Sequence, residues 1–332
     1  MKVCIVGAGA IGGFIGARLA AAGNAPVSAV ARGATLQALR THGWRLRQGD
    51  ALVGGPAIAS EDPAALGVQD LVVITVKGPA MATVAGAIAP LLGPGTVVLP
   101  AMNGIPWWFG DGLPGIGAAS LDSVDPGGVI AAAIPLSHVL GCVVHAATVA
   151  AEPGLVMHRM GNGLIIGEPG GEPGGEPGGT ASERAGRVRD LLAEAGFAVA
   201  LSANIRRDIW YKLWGNLTMN PVSALTGATA DRILGDPLVR AFCSAAMEEA
   251  AAIGARIGCV IDQSPEDRHT VTRKLGAFKT SMLQDVEAGR PLELDSIVAA
   301  VSEIGRRVGI ATPCIDGLLG LTRLFARTRG LY

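Results

Sequence analysis

Lys2-Val-Cys-Ile-Val-Gly7-Ala8-Gly9-Ala10-Ile11-Gly12-Gly13 opens the chain and decides how its first half is read. Lys2 to Val6 is a short apolar, β-branched run, three glycines follow at the G-x-G-x-x-G spacing, and an apolar helix is expected over residues 10–22. Gly7 permits a tight turn, Gly9 lets the backbone approach a pyrophosphate, and Gly12 lets the helix pack closely on the strand. The helix N-terminus offers unpaired N–H groups and partial positive charge to the phosphates. Gly7, Ala8, Gly9, Ala10, Ile11 and Gly12 are therefore candidate contacts to a dinucleotide.

Outward from this corner the same grammar repeats. Strands are expected at residues 25–31, 70–76 (DLVVITV) and 96–99, with a helix over 80–92. Continuous apolar strands alternating with helices predict a parallel sheet covered on both faces, a doubly wound α/β domain of Rossmann type. Further strands at 141–148, 155–158 and 164–166 suggest an antiparallel extension of that sheet, followed by a helix at 182–195 and a last strand at 197–201. From Asn204 onward only helices are expected, at 205–219, 236–257, 265–289 with a break near Gly276, 292–308 and 313–327. This gives an N-terminal domain over 1–203 and an all-helical C-terminal domain over 204–332. The one low-complexity segment, E-P-G-G three times over residues 168–179, reads as a lengthened surface loop.

Composition narrows the function. The 332 residues carry Lys+Arg 27 against Asp+Glu 28, so no global attraction draws the chain to nucleic acid or anionic lipid. The N-terminal apolar run is broken by glycines and Arg18, unlike a secretory signal, and no stretch suits a membrane span. Cys4, Cys142, Cys243, Cys259 and Cys314 are scattered without a C-x-x-C pair, as expected of a cytoplasmic protein, and the histidines show no metal spacing.

The near-zero charge hides a local asymmetry: no acid precedes Asp50. NAD binders place a carboxylate at the end of the second strand to accept from the ribose 2′-hydroxyl. Here that strand ends in Arg32, with Arg40, Arg45 and Arg47 nearby. A guanidinium suits a 2′-phosphate, which predicts NADP(H).

Lysine is scarce, and Lys212 stands out among the few. Lys212, Asn216 and Asn220 recur at i, i+4, i+8 among Trp210, Leu213, Trp214 and Leu217, so they fall on one stripe of a helix with apolar walls. A cation and two amides can bind a small polar molecule and donate a proton to it. The same stripe would also serve a helix whose amides only bridge to a neighbour.

Taken with the glycine corner, TVKGPA around Lys77, MNG around Asn103, NIRRDIWYKLWGNLTMNPVSALTG from Asn204 and TSMLQDVEAGRPLELDSI from Thr280, the chain resembles the ketopantoate reductase family over nearly its whole length. The resemblance implies NADPH-dependent reduction of 2-dehydropantoate to pantoate, on the route to pantothenate. It implies Lys212 as proton donor, Glu293 beside the reacting centre, Asn216 and Asn220 as substrate contacts, and Ser281 as a partner of the substrate carboxylate. Lys77, Asn103 and Ala147 would line the nicotinamide side of the cofactor site. Two departures keep the substrate open. The stretch from Asn103 to Gly141 is long and starts with Pro106-Trp107-Trp108-Phe109, and Ala228–Arg232 lacks an Asn that many members carry. A related reductase of another 2-oxo or β-hydroxy acid is one alternative, and a non-catalytic NADP-binding sensor is another. The alanine- and leucine-rich helical half could support a homodimer, which periodicity alone does not decide.

Overall fold

Four buried side chains in a row leave Val3–Val6 without a solvent face. The structure, a computed structural model that describes residues 1–117, 120–170 and 182–332, pairs this strand on both sides. The chain divides into two compact units, residues 1–102 with 129–208 and residues 103–128 with 209–332.

The strands of the first unit are β1 (Val3–Val6), β2 (Val27–Val30), β3 (Trp44–Gln48), β4 (Ala51–Gly55), β5 (Ile58–Ser60), β6 (Leu71–Ile74), β7 (Val97–Pro100), β8 (Gly141–Glu152), β9 (Leu155–Gly167) and β10 (Ala198–Leu201). Its helices are α1 (Ala10–Ala22), α2 (Gly33–His42), α3 (Met81–Ala87), α4 (Val129–Ala133) and α5 (Glu183–Glu194). One sheet runs β5-β2-β1-β6-β7, parallel throughout. The chain reverses direction of travel at β1, so the C-terminal ends of β1, β2 and β6 frame the crevice where such sheets bind ligands. This is the Rossmann-type arrangement that the glycine corner predicts.

The antiparallel extension is not found. β8 and β9 pair with each other, and β9 pairs with β3 and β10, in a second sheet that also holds β4. The runs at 155–158 and 164–166 are one strand: its first half pairs with β3 and its second with β10, so each apolar run has its own partner. α1 packs against strands of both sheets, which explains why Gly12 through Ala17 are all buried. A helix apolar on all sides is one with no solvent face. The helix expected at 80–92 is shorter, because Pro79 and Pro90 open separate 3₁₀ turns around α3. Of the E-P-G-G repeat, residues 171–179 lie outside the described residues.

The second unit contains α6 (Ile205–Thr226), whose first turn belongs to the first unit, then α7 (Ala230–Gly235), α8 (Pro237–Arg256), α9 (Pro265–Arg273), α10 (Ser281–Glu287), α11 (Ala300–Val308) and α12 (Pro313–Thr328). α6 runs past Met219 and through Pro221, because residues 217–224 are all buried and packing outweighs the lost backbone bond. The expected helix over 265–289 is two helices, α9 and α10, each with its own cap at Ser264 and Thr280.

Residues 103–128 group with the helical unit, not with the first domain as a single boundary at 203 implies. Trp107, Trp108 and Phe109 are buried, and Phe109 stacks on Trp210 of α6 at 5.9 Å, so this aromatic run is core. Glu303 of α11, 6% exposed, anchors the same segment. It accepts from Asp122 N (2.9 Å), Ser123 N (2.8 Å) and Ser123 Oγ (2.5 Å), and pairs with Arg307 at 2.6 Å. Burial works to raise the Glu303 carboxyl, but these donors and Arg307 outweigh it and hold the group below the ordinary glutamate range. A depressed carboxyl contributes stability that is present above its unfolded value and is lost as pH falls through its folded one. Glu303→Gln offers one acceptor where two are used and should cost about 2 kcal/mol at neutral pH. It should also flatten the acid limb of the stability curve, measured by urea unfolding from pH 7 to pH 3; equal acid limbs for both proteins would refute this role.

Candidate active site

The glycine corner has the geometry that a bound pyrophosphate needs. Gly7 sits at φ +95°, and a Cβ there would stand 2.6 Å from Val76 Cγ1. At Gly12 a Cβ would meet Gly7 O at 2.1 Å and Thr75 Oγ1 at 2.4 Å, so helix and loop can approach only through glycine. Thr75, just past β6, donates to Gly7 O at 2.5 Å and fixes the loop from the neighbouring strand. Above Gly9, the N-cap of α1, a Cβ would meet nothing within 4 Å, and the first turn of α1 holds no acid. Open space over a helix N-terminus free of negative charge fits a diphosphate.

Arg32 follows β2 as the N-cap of α2, exposed and without a side-chain hydrogen bond or ion pair among the described residues. β2 pairs β1 up to Val6–Val30, so Arg32 leaves the sheet beside the glycine corner. The other early arginines are committed elsewhere or lie on the second sheet: Arg40 donates to Ala59 O (3.1 Å), Arg45 pairs with Glu152 (3.3 Å), and Arg47 sits on β3. Lys77 is half-buried and follows β6 on the same edge as the glycines. Ala147 lies on the second sheet, in a bulged stretch of β8 opposite Met160.

In the second unit, the Lys212 stripe lies on α6 with its indole neighbours turned the other way. Trp210 Nε1 donates to Ala250 O (3.2 Å) and Trp214 Nε1 to Met247 O (2.7 Å), both on α8. That leaves Lys212 and Asn216 half-buried and Asn220 only 4% exposed, with its buried Nδ2 making no hydrogen bond. A buried amide nitrogen without an acceptor is costly unless a ligand supplies one.

Lys212 Nζ donates to Asn103 Oδ1 at 2.9 Å. Asn103 thus belongs with the proposed proton donor, in the same unit. Its position is set by the next two residues. Gly104 lies at φ +80° against Ser296, where a Cβ would stand 2.6 Å from Ser296 C and O, and Ile105 N donates to Ser296 O at 2.8 Å. Ser296 sits in a π turn, Asp295–Ala299, which begins two residues after Glu293 and leads into α11. Such turns are frequent at functional sites. Glu293 is half-buried, and the turn is tied down by Tyr332, whose hydroxyl donates to Asp295 Oδ1 at 2.6 Å, while Leu292 N donates to Leu331 O at 2.9 Å. Burial and the Asp295 carboxylate push the Tyr332 phenol up to about 12, so it remains a donor throughout the working range. Lys212 and Asn103 are therefore linked to Ser296 through short contacts, and Glu293 stands on the chain just ahead of that turn.

Ser281 is exposed at the first position of α10. Its neighbour Thr280 caps that helix, accepting from Leu283 N at 3.2 Å, and shares a hydrogen bond with Ser223 of α6, three residues beyond Asn220. Asp285 is buried and pairs with Arg290 at 3.0 Å, a structural contact. The parts the sequence did not point to are Ser296, Thr280 and the Tyr332 tie; only the Thr-Ser pair ahead of an apolar run could have signalled one of them, as a helix cap. Among the described residues no cluster of His, Cys, Asp and Glu is arranged to hold a metal ion, and no helix is long and apolar enough to cross a membrane.

Comparison with known proteins covers both units. The profile Ketopantoate reductase PanE/ApbA matches residues 3–171, and Ketopantoate reductase PanE/ApbA C terminal matches residues 204–326. A 2-dehydropantoate 2-reductase of Mesorhizobium japonicum is 42% identical over the full length of both chains. A crystal structure assigned to the ketopantoate reductases, from Ralstonia solanacearum MolK2, superposes with TM-score 0.93 at 57% identity, covering 100% of this chain and 99% of that one. D-mandelate dehydrogenase, solved with NADH and anilino(oxo)acetate, shares the fold at TM-score 0.83 and 21% identity, with full coverage of both chains.

Proposed function

The chain belongs to the ketopantoate reductase family, and from that premise we propose that it reduces 2-dehydropantoate to pantoate with NADPH as the hydride donor. It is an oxidoreductase acting on a CH–OH group through a nicotinamide dinucleotide. The observation that carries the reading is the Lys212–Asn103 hydrogen bond beside the unpartnered amide of Asn220.

When bound, the reduced nicotinamide supplies a hydride to the ketone carbon. The oxygen of that ketone then gathers negative charge, and the chain must supply a proton and preorganised donors. Lys212 Nζ gives the proton. Asn103 takes one ammonium hydrogen and so orients the remaining ones. Asn216 and Asn220 offer amide groups to the substrate's oxygens, Ser281 a hydroxyl to its carboxylate, and Glu293, on the chain entering the π turn, a carboxylate near the reacting carbon. Gly7 to Gly12 receive the diphosphate and Arg32 the 2′-phosphate, with Lys77 on the same edge of the sheet. Ala147 completes the nicotinamide side in this reading.

NADH is the competing donor, as in D-mandelate dehydrogenase. Arg32 favours NADPH because it occupies the position where a ribose-binding carboxylate would stand, and among the described residues it makes no side-chain hydrogen bond or ion pair. Arg32→Ala should raise KM for NADPH about 10- to 100-fold and leave KM for NADH nearly unchanged, given the strength of charge-assisted hydrogen bonds to phosphate. Equal effects on both cofactors, in steady-state assays, would remove the assignment. Oxidation of NADPH across a panel of 2-oxoacids tests the substrate. Turnover highest on 2-dehydropantoate supports the proposal, and turnover only of another acid refutes it. We also propose that the protein works in the cytoplasm: none of the five cysteines forms a disulfide, and burial pushes Cys4 and Cys243 up to about 11, which keeps both protonated.

A further inference from the structure

Arg268, on α9, lies across α6 beside the catalytic stripe. Its guanidinium stands 5.1 Å from the centre of the Tyr211 ring, and Tyr211 is itself fixed by a hydrogen bond from its hydroxyl to Gln263 Oε1 at 2.8 Å. On the other side the group fills the space that a side chain at Gly215 would need: a Cβ there would stand 2.7 Å from Arg268 Nε and 2.8 Å from one terminal nitrogen. Arg268 Nε is buried and makes no hydrogen bond, and no carboxylate pairs with the guanidinium among the described residues. The acids closest in sequence are engaged elsewhere, Glu266 with Arg273 at 2.8 Å and Asp267 with Ser264 at 2.6 Å. A buried guanidinium N–H without an acceptor is costly, and a ligand anion reaching the group would supply one.

Position says which anion. Gly215 follows Lys212 by one helical turn, so their Cβ positions are about 5–6 Å apart, and the Arg268 guanidinium edge lies within about 9 Å of the Lys212 Cβ. In a 2-oxoacid the ketone and the carboxylate sit on adjacent carbons. A proton donor for one and a cation for the other must therefore lie only a few ångströms apart. Ser281 can donate one hydrogen bond but is neutral and cannot balance the carboxylate charge. A guanidinium can do both, through two parallel N–H bonds.

We propose that Arg268 is the group that recognises the carboxylate of the 2-oxoacid substrate, held in place by Tyr211 and by the absence of a side chain at Gly215. The proposal rests on the reductase reading, and its test keeps the two apart by comparing 2-dehydropantoate with its neutral methyl ester under saturating NADPH. The wild-type enzyme should prefer the acid. Arg268→Met should lower kcat/KM for the acid about 30- to 100-fold, mostly through KM, and change the value for the ester less than threefold, with NADPH dissociation unaltered. Gly215→Ala, which keeps the charge but displaces the guanidinium, should move the acid-to-ester ratio in the same direction and serves if Arg268→Met does not fold. Equal losses on acid and ester, or no loss on the acid, would overturn the assignment. If the wild-type enzyme reduces a different 2-oxoacid, the substrate reading fails and the same acid-to-ester ratio for that compound decides on Arg268. If it reduces no 2-oxoacid, both fall.

Discussion

Lys212→Ala should lower kcat by about 10²- to 10⁴-fold, the range a positioned general acid contributes, while the dissociation constant for NADPH stays within twofold. Two features make the loss fall on turnover. Lys212 Nζ is held by Asn103 at 2.9 Å, so its geometry is set before substrate arrives. The cofactor contacts proposed for Gly7 to Gly12, Arg32 and Lys77 belong to a different unit of the chain, so the substitution removes none of them. Stopped-flow measurement of a single turnover separates the chemical step from product release. A variant that transfers hydride at near wild-type rate would show that another acid protonates the alkoxide.

Gly104→Ala should be nearly as damaging, although the residue touches no ligand. At φ +80° an L-residue is disfavoured by about 1–2 kcal/mol, and the added methyl would meet the Ser296 backbone and Oγ, all at 2.6 Å. Backbone is not the flexible end of a side chain, so either the 103–105 segment or the π turn must move; overpacking of this kind adds about 1–3 kcal/mol. Asn103, on the first, and Glu293, just ahead of the second, are both residues of the proposed site. A combined fall of more than tenfold in kcat and several degrees in thermal midpoint is expected, with NADPH affinity retained. Unchanged kcat in a protein that unfolds at lower temperature would show that the Asn103–Lys212 bond tolerates displacement.

The glycine corner is legible as strand, turn and helix because residues 3–13 lie close together in the chain, although the contacts that require glycine at positions 7 and 12 include Val76 and Thr75 of the neighbouring strand end. The Lys212 stripe was legible for the same reason, being a period within one helix. What could not be read was long-range pairing. β8 and β9 look from their sequence like added strands of the first sheet, because nothing in an apolar run names its partner. Asn103, which the family resemblance places on the nicotinamide side, also accepts from Lys212, 109 residues later, a pairing that no local pattern announces. The role proposed for Arg268 has no sequence signal, since it depends on the missing side chain at Gly215 and on neighbouring acids that pair with others.

The chain passes between its two units at residues 102–103, 128–129 and 208–209, and this sets a timetable for synthesis. Trp107, Trp108 and Phe109 leave the ribosome about a hundred residues ahead of Trp210, on which Phe109 stacks, and further ahead of Glu303, which ties down the same segment. At about 5–20 residues per second that is a wait of roughly 5–20 s for the first partner. During that interval the first unit can continue to assemble, because residues 129–208 complete its second sheet. The aromatic segment hangs from it as an exposed loop. Nascent chains stalled before α6 should therefore be a target for chaperones that bind aromatic peptides, and those stalled after α11 should not.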